Sequence, residues 1–540
     1  MLAVPFSSLG RLSAFRLALT IGLIGLGATL FASSIRFRAM WRDDPATTMV
    51  IGWDQVSGEE PVFYYDLKPH GKRAEAYAFS RLPDRIVRFR GMNNHFVRLT
   101  GLQPDTEYHF IVVDSEGSTR RMSFRTTPSH PGAPLSIAAG GDSRNHRTAR
   151  RLANLLVAKL RPHFVMFGGD FTGGDTAGEW QLWMDDWQET IALDGRLTPI
   201  VATRGNHEYS NETLHKLFDL PSEKGYYALS FGGNLLRVYT LNSMTAPGGR
   251  QRDWLEKDLH QHLNAIWRIA QYHHSMRPHT IGKKEKTDLV EEWAWLFFRY
   301  GLRLVVESDS HVVKTTWPIR PSNGPDSEEG FVQDNELGTV YVGEGCWGAP
   351  LRASNDEKSW TRGSGSFNQF KWILVRAEGI EVRTLATDGA EQVIRNNDKN
   401  RLIPPMGLLM WDPGNGAVVR IPRTKTKYPL SPVRAPQEIG PSVARFTATS
   451  RGEGVELQWS AKQLPAGTVF ELHRSLDGGK SFEVIGTQPS SIDQQSSYRL
   501  IDPIRPSSSS GVQYRLQYTD PAGSPVWIHS GLTNDPGSNR

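Results

Sequence analysis

The sequence predicts a multidomain chain in which a central α/β domain lies between an N-terminal and a C-terminal β-sandwich. Three observations predict it. Residues 41–128 and 441–535 alternate apolar and polar residues between turn signals, the period of half-buried strands. Residues 129–390 change pattern, with short apolar strands alternating with helical stretches. The length of 540 residues accommodates three or four domains of ~100–200 residues each.

Residues 1–40 read as a signal peptide or an N-terminal membrane anchor. The stretch "LALTIGLIGLGATLFA" at 17–32 is uncharged and follows Arg11 and Arg16. It is short for the ~20 residues of a spanning helix. Ala32-Ser33-Ser34 offers a weak cleavage site. Arg36, Arg38 and Arg42 follow closely, which is untypical of an exported flank. A buried core helix is the alternative reading. The single cysteine, Cys346, excludes an intrachain disulfide. Export without disulfides suits a bacterial periplasm or cell surface. The formal charge of +5 comes from 62 basic and 57 acidic residues, and no Lys/Arg block resembles a nucleic-acid tail, so no nucleic-acid partner is expected. Charged residues at 22% and aromatics at 10% exclude a disordered chain.

In the first module, Leu99, Leu102, Tyr108, Phe110 and Val112 fit the inner face of a sandwich. "LQPDTEY" before an aromatic strand has a fibronectin-type-III-like character. The central region then runs "LSIAAG", a helix over "HRTARRLANLLVAKL", "HFVMFG", a helix over "AGEWQLWMDDWQETIAL", "TPIVAT", "WRIAQY", a helix over "DLVEEWAWLFFRYG", and "LRLVVE". Asp288 with Glu291 predicts an N-cap on the last helix. "GTVYVGEG" and "FKWILVRAEGIEVRTLA" close the domain. Residues 391–440, rich in Pro, Asn, Gly and Lys, read as a linker with little structure of its own.

The chemistry sits where the central strands stop. "LSIAAG" ends in Gly141-Asp142-Ser143-Arg144, and "HFVMFG" in Gly169-Asp170. "TPIVAT" ends in Arg204-Gly205-Asn206-His207-Glu208, "WRIAQY" in His273-His274, and "LRLVVE" in Ser308-Asp309-Ser310-His311. In open α/β sheets, ligands bind beyond the carboxyl ends of the strands. Mixed carboxylate, amide and imidazole donors suit a pair of divalent ions, Mn, Fe, Zn or Mg, clamping a phosphoryl group. Each glycine before an Asp or Asn lets the backbone turn sharply beside the metal. Asp309 and His311, two apart, are expected to share a direction on an extended chain.

This ordered set resembles the calcineurin-like metallophosphoesterase superfamily, closest to its purple acid phosphatase branch. "PATTM" at 45–49 and "QRDWLEKDL" at 251–259 match the wording of that branch. The resemblance covers about residues 44–390. It implies a layered α/β/β/α metallophosphoesterase domain behind a fibronectin-type-III-like domain. It implies that Asp142 and His311 bind the first metal, Asp170 bridges, and Asn206, His273 and Asp309 bind the second. His207 would act on the substrate phosphate or the attacking oxygen, Arg144 would reach a phosphate oxygen, and His279 would protonate the leaving alcohol. The function implied is an exported phosphoesterase, most simply a phosphomonoesterase acting on a small phosphate ester. A phosphodiesterase or nucleotidase is the alternative among enzymes.

Two positions depart from the branch. Gly173 stands where the purple enzymes carry a metal-bound tyrosine, so no phenolate colour is expected. Asp309 stands where a metal-binding histidine is usual, and is read as a replacement ligand. These two departures are what keep a degenerate, non-catalytic surface binding protein as the rival reading.

Overall fold

The computed structural model describes residues 33–424, 426, 428, 442–451, 454–462, 468–477, 479–489, 495–504, 512–519 and 525–534. The apolar stretch at 17–32 lies outside them. Among the described residues no helix is long and apolar enough to cross a membrane.

The N-terminal domain is a sandwich of two antiparallel sheets. One runs in the order Ser34–Met40, Met49–Gln55, Met92–Leu99, Arg85–Phe89. The other is built on Val62–Asp66 and Glu107–Asp114, the latter also pairing Met122–Arg125. Between them pack Trp53, Phe63, Phe96, Phe110 and Phe124. Leu99, Leu102, Tyr108, Phe110 and Val112 are all buried, as their alternation requires.

The domain starts earlier than its composition suggested. Ser34–Met40, inside the stretch read as leader, is an edge strand of the first sheet. Ser34 and Ser33, the cleavage candidates, are buried against Gln55: Ser34 Oγ donates to Gln55 Oε1 at 2.8 Å and Gln55 Nε2 donates to Ser33 Oγ at 3.0 Å. The three arginines that looked out of place beside a leader are fasteners. Arg36 pairs with Asp54 at 2.9 Å and Asp185 at 2.7 Å. Arg38 donates to the Leu217 carbonyl at 2.6 Å, and Arg42 pairs with Asp219 at 3.1 Å. Trp41 packs edge-on against Phe164 and Phe231 of the central domain.

The central domain contains two sheets. The six-stranded sheet runs Ile200–Ala202, Phe164–Phe167, Leu135–Gly140, Gln369–Arg376, Gly379–Ala386, Val418–Pro422, with the first three parallel. The seven-stranded sheet runs Tyr227–Phe231, Leu236–Thr240, Trp267–His274, Leu304–Ser308, Val340–Gly343, Val313–Thr316, Thr361–Gly365. Alternation along single strands shows the layering. Leu304 and Val306 join the core between the sheets with Ile137, Val165 and Trp372, whereas Val305 joins an outer core with Leu255, Trp293 and Phe297. Those outer residues come from Arg250–Gln261 and from the helical run beginning at Thr287. The opposite outer face is covered by Arg147–Leu160 and Ala177–Trp187 through Leu156, Leu160, Trp180 and Trp183. The result is an α/β/β/α sandwich.

Two expectations are corrected. The helical run is not capped by Asp288. Its N-cap is Lys286 with no side-chain cap bond, and it passes through a wider π turn at Val290–Ala294. Residues 391–440 do not begin a linker. Val418–Pro422 adds an edge strand beside Gly379–Ala386. Lys159 Nζ donates to the Ala390 and Glu391 carbonyls at 2.7 Å each, and Val393 and Ile421 are buried. Backbone pairing and two buried side chains outweigh the loop-like composition, so the central domain reaches past residue 420.

The C-terminal region is sheet-rich with its own core of Leu457, Trp459, Phe470, Leu472, Tyr514 and Leu516. Pro525–Asn534 pairs antiparallel with Gln513–Thr519 along its first part and parallel with Ser442–Arg451 along its last, joining two halves of a sandwich.

The seam between the first two domains closes on one carboxylate. Buried Asp219 takes Arg42 and Arg85 at 3.1 Å and Arg98 at 2.7 Å. Asp219→Ala leaves three guanidinium groups without that partner. A loss of about 3 kcal/mol is expected, read as a lower urea midpoint with an unchanged slope. An unchanged midpoint would show that the seam carries no net stability.

Candidate metal centre

The two sheets approach each other most closely at their carboxyl ends. A Cβ on Gly168 would lie 2.1 Å from Ser308 Oγ, and one on Gly141 would lie 2.6 Å from the same atom. Glycine is therefore needed here for the approach of the opposite sheet. The turning itself falls on the next residues. Asp142, Arg144, Asp170, Asp309 and His311 all have left-handed φ, at 59°, 45°, 54°, 72° and 56°. Gly169, at 94°, is the one glycine of the two Gly-Asp pairs that turns as expected. Strain of this kind in non-glycine residues collects at functional sites. It also corrects the expected geometry of Asp309 and His311. The strand has ended at Ser308, and two left-handed residues aim the side chains at different targets.

Those targets are two donor clusters. Asp142, Asp170 and His311 present ligand atoms within 4.8 Å of one another, and so do Asp170, His273 and Asp309. All five residues are buried, and Asp170 belongs to both clusters.

At the first cluster, His311 Nε2 faces Asp142 Oδ1 at 3.2 Å, yet neither atom has a hydrogen-bond partner. Asp170 Oδ2 also lacks a hydrogen bond, its neighbour being the Arg144 guanidinium 3.0 Å away. Buried polar atoms are rarely left so. His311 Nδ1 lies 2.8 Å from the Pro350 carbonyl. A carbonyl only accepts, so Nδ1 carries the proton and Nε2 offers a lone pair.

The second cluster repeats the device. His273 Nδ1 donates to the Gly168 carbonyl at 2.8 Å. Its Nε2 then faces Asn206 Oδ1 at 3.0 Å, Asp170 Oδ1 at 3.3 Å and Asp309 Oδ1 at 3.5 Å. Three oxygens converging on Nε2 repel one another unless a positive charge lies among them, a proton on Nε2 or a metal ion in its place. Burial would lower the His273 pKa, but Asp170, Asp142 and Asp309 outweigh it and push it up to about 10. Burial also acts to raise the Asp309 carboxyl, which His273 and Lys283 nevertheless hold well below the usual range. The orphaned atoms and the donor set fit divalent metal ions.

The other expected residues divide. Arg144 lies with its guanidinium 3.0 Å from Asp170 Oδ2. His207 donates from its backbone N–H to Asp170 Oδ1 at 2.9 Å. Its Nδ1 is held by the Gly173 carbonyl, and its Nε2 stands 3.9 Å from Asp170 Oδ2. His279 does not join the centre. It is fully buried, with Nε2 2.7 Å from Thr361 Oγ1 and Nδ1 3.9 Å from Glu344. Burial and Lys314 push its pKa down to about 2, and its ring turns to Thr361, away from both clusters. At Gly173 a Cβ would lie 2.5 Å from Asn145 Nδ2, which donates to Glu179, so a larger residue there would displace the Asn145 side chain.

Two contributors had no role assigned from the sequence. Glu208 is buried and accepts the backbone N–H groups of Asp170 at 3.0 Å, Phe171 at 2.9 Å and Gly205 at 2.8 Å. It thereby fixes two metal-bearing turns, and burial with nearby Asp170 pushes its pKa up to about 8. Its place in "GNHE" was the available signal. Lys283 reaches Asp309 Oδ1 at 2.5 Å from the loop "IGKKEK", whose sequence carries no such signal.

Residues 36–126 match the family model described as purple acid phosphatase, N-terminal domain, and residues 130–313 match that for calcineurin-like phosphoesterase. An uncharacterized protein of Mycobacterium tuberculosis is 24% identical over 318 residues, 48% of this chain and 59% of that protein. Purple acid phosphatase 15 of Arabidopsis thaliana is 26% identical over 294 residues, 45% of this chain and 54% of that protein. The matches thus span little more than half of each relative. Among solved structures, a purple acid phosphatase from yellow lupin seeds superposes with a TM-score of 0.57 at 15% identity, covering 70% of this chain and 76% of its own. A structure of PhoD gives 0.51 at 11% identity, covering 73% and 94%. At those identities the likeness is one of fold.

Gly168→Ala is expected to cost about 1–3 kcal/mol by overpacking and to weaken metal binding. Ser308→Gly in the same chain should recover most of the stability. Thermal melts of both variants test this, and a Gly168→Ala protein as stable as the parent would refute the close approach.

Proposed function

We propose that this chain, with its calcineurin-like phosphoesterase match behind a purple acid phosphatase N-terminal domain, is a metal-dependent hydrolase of phosphoric esters that acts on small monoesters. The observation that carries this reading is the pair of buried donor clusters sharing Asp170, in which Asp142 Oδ1 and His311 Nε2 face each other without a hydrogen bond. Asp142, Asp170 and His311 would hold one divalent ion, and Asp170, Asn206, His273 and Asp309 a second. Two such ions supply an activated water and charge to offset that of the phosphoryl oxygens.

The chain's own residues do the rest. Gly168 and Pro350 fix the two imidazoles in the tautomer that leaves Nε2 free. Arg144 offers a planar guanidinium beside the shared carboxylate, suited to two oxygens of a phosphate. His207, with Nδ1 tied to Gly173, keeps Nε2 for a phosphate oxygen or for a proton held at that atom. Partial exposure of Arg144 and His207, at 18% and 23%, lets both meet a ligand entering from solvent. Monoester preference is supported by the relative named a purple acid phosphatase. The apolar run at 17–32 supports export to a periplasm or cell surface, and the mild charge supports a small-molecule substrate over a nucleic acid.

The test is hydrolysis of p-nitrophenyl phosphate by the full chain, before and after removal of metal by a chelator. Activity is expected, lost on chelation and restored by manganese. His207→Ala should keep its metal content while kcat falls ~10²–10⁴-fold. Absence of turnover in metal-loaded protein, against mono- and diester substrates alike, refutes the reading.

A further inference from the structure

The two donor clusters differ in how far the protein has already answered their charge. Asp142 pairs with no Lys or Arg among the described residues. It accepts the Asp309 backbone N–H at Oδ2, 3.0 Å away, and its Oδ1 faces His311 Nε2 with both atoms unpartnered. Arg144 lies 3.0 Å from Oδ2 of Asp170, which both clusters share, so it does not set them apart. Lys283 does: its Nζ lies 2.5 Å from Asp309 Oδ1, the oxygen that also faces His273.

Lys283 is delivered on purpose-built backbone. Its loop is held by Ile281 N–H donating to Asn355 Oδ1 at 3.2 Å and by Lys286 N–H donating to the Met276 carbonyl at 3.0 Å. The lysine side chain is 21% exposed while Asp309 is 7% exposed. The ammonium can therefore swing to solvent, but the carboxylate cannot leave the centre.

Building on the metal-centre reading above, we propose that Lys283 is a tethered counter-ion that sets the affinity of the second cluster. The two sites then load unequally. An ion at Asp142 and His311 meets no cation beyond the Arg144 that both clusters share, and stays. An ion at His273 and Asp309 must displace the ammonium or lie beside it, and either way the repulsion weakens its hold. The second ion is an exchangeable activator, so turnover follows the free concentration of a divalent cation.

Manganese titration of the metal-free full chain by calorimetry, with circular dichroism to confirm folding, tests this. Wild type should show two classes of site, the weaker by about 10-fold or more. Lys283→Met and Lys283→Gln should each tighten the weaker class by about 10-fold and leave the tight one unchanged. Lys283→Arg should keep the wild-type pattern, and His311→Ala should lose the tight class. Two equal classes in wild type, or a weak class unmoved in both neutral variants, overturns the role of Lys283 and leaves the metal centre standing. No manganese bound by wild type overturns both.

Discussion

The close contact of two sheets at Ser308 governs the rest of the site. Its side chain fills the space that Cβ atoms on Gly141 and Gly168 would occupy, so two strands of one sheet and one of the other end within a few ångströms of each other. Only then can Asp142 and Asp170, from one sheet, share a region with His273, Asp309 and His311 from the other. A Cβ at either glycine would lie inside contact distance of Ser308 Oγ, so the packing there must shift to admit it.

Beneath the centre lies a second buried polar system that supports it. Lys314 Nζ donates to Glu307 Oε2 at 2.6 Å and to the Arg277 carbonyl at 3.0 Å, and it pairs with Glu344. Against the effect of burial, the two glutamates raise its pKa. Glu307 also accepts from Tyr272 at 2.8 Å and from the Met276 backbone at 2.9 Å. The loop following Glu344 is then tied to both halves of the first cluster. The His311 N–H donates to the Glu344 carbonyl at 2.8 Å, and the Ala349 N–H to the Asp142 carbonyl at 2.8 Å. His279 belongs to this system, which explains why a histidine six residues after a metal-binding candidate is structural. A charged network of this kind is costly unless complete, and its geometry is correspondingly fixed.

The N-terminal sandwich shares its hydrophobic core with the central domain. One hydrophobic core runs from Trp53 and Phe110 through Trp41 to Phe164 and Phe231 without a break at the domain boundary. Arginines at the rim of that core, on Asp185 and Asp219, fix its orientation. The contact also reaches a metal-bearing loop, since Arg90 of the sandwich pairs with Asp175, five residues after Asp170.

The sequence alone determined the order of domains, the identity of the central strands and the residues that end them. These follow from hydrophobic periodicity and from short-range spacing, which the chain carries locally. Strand ends rich in carboxylate, amide and imidazole groups marked the region, and the resemblance to calcineurin-like phosphoesterases singled out Asp142, Asp170, Asn206, His273, Asp309 and His311 among them. Only the tertiary structure decided where the donors point. Asp309 and His311 diverge because left-handed φ values, not strand alternation, aim them. His279 turns inward to Thr361, and Lys283 reaches Asp309 across 26 residues of chain. The same holds for boundaries: Ser34–Met40 and Val418–Pro422 look like leader and linker until a neighbouring strand supplies their hydrogen bonds. Pairing partners and charge partners lie far apart in sequence, and composition within a window holds no record of what the fold brings to it.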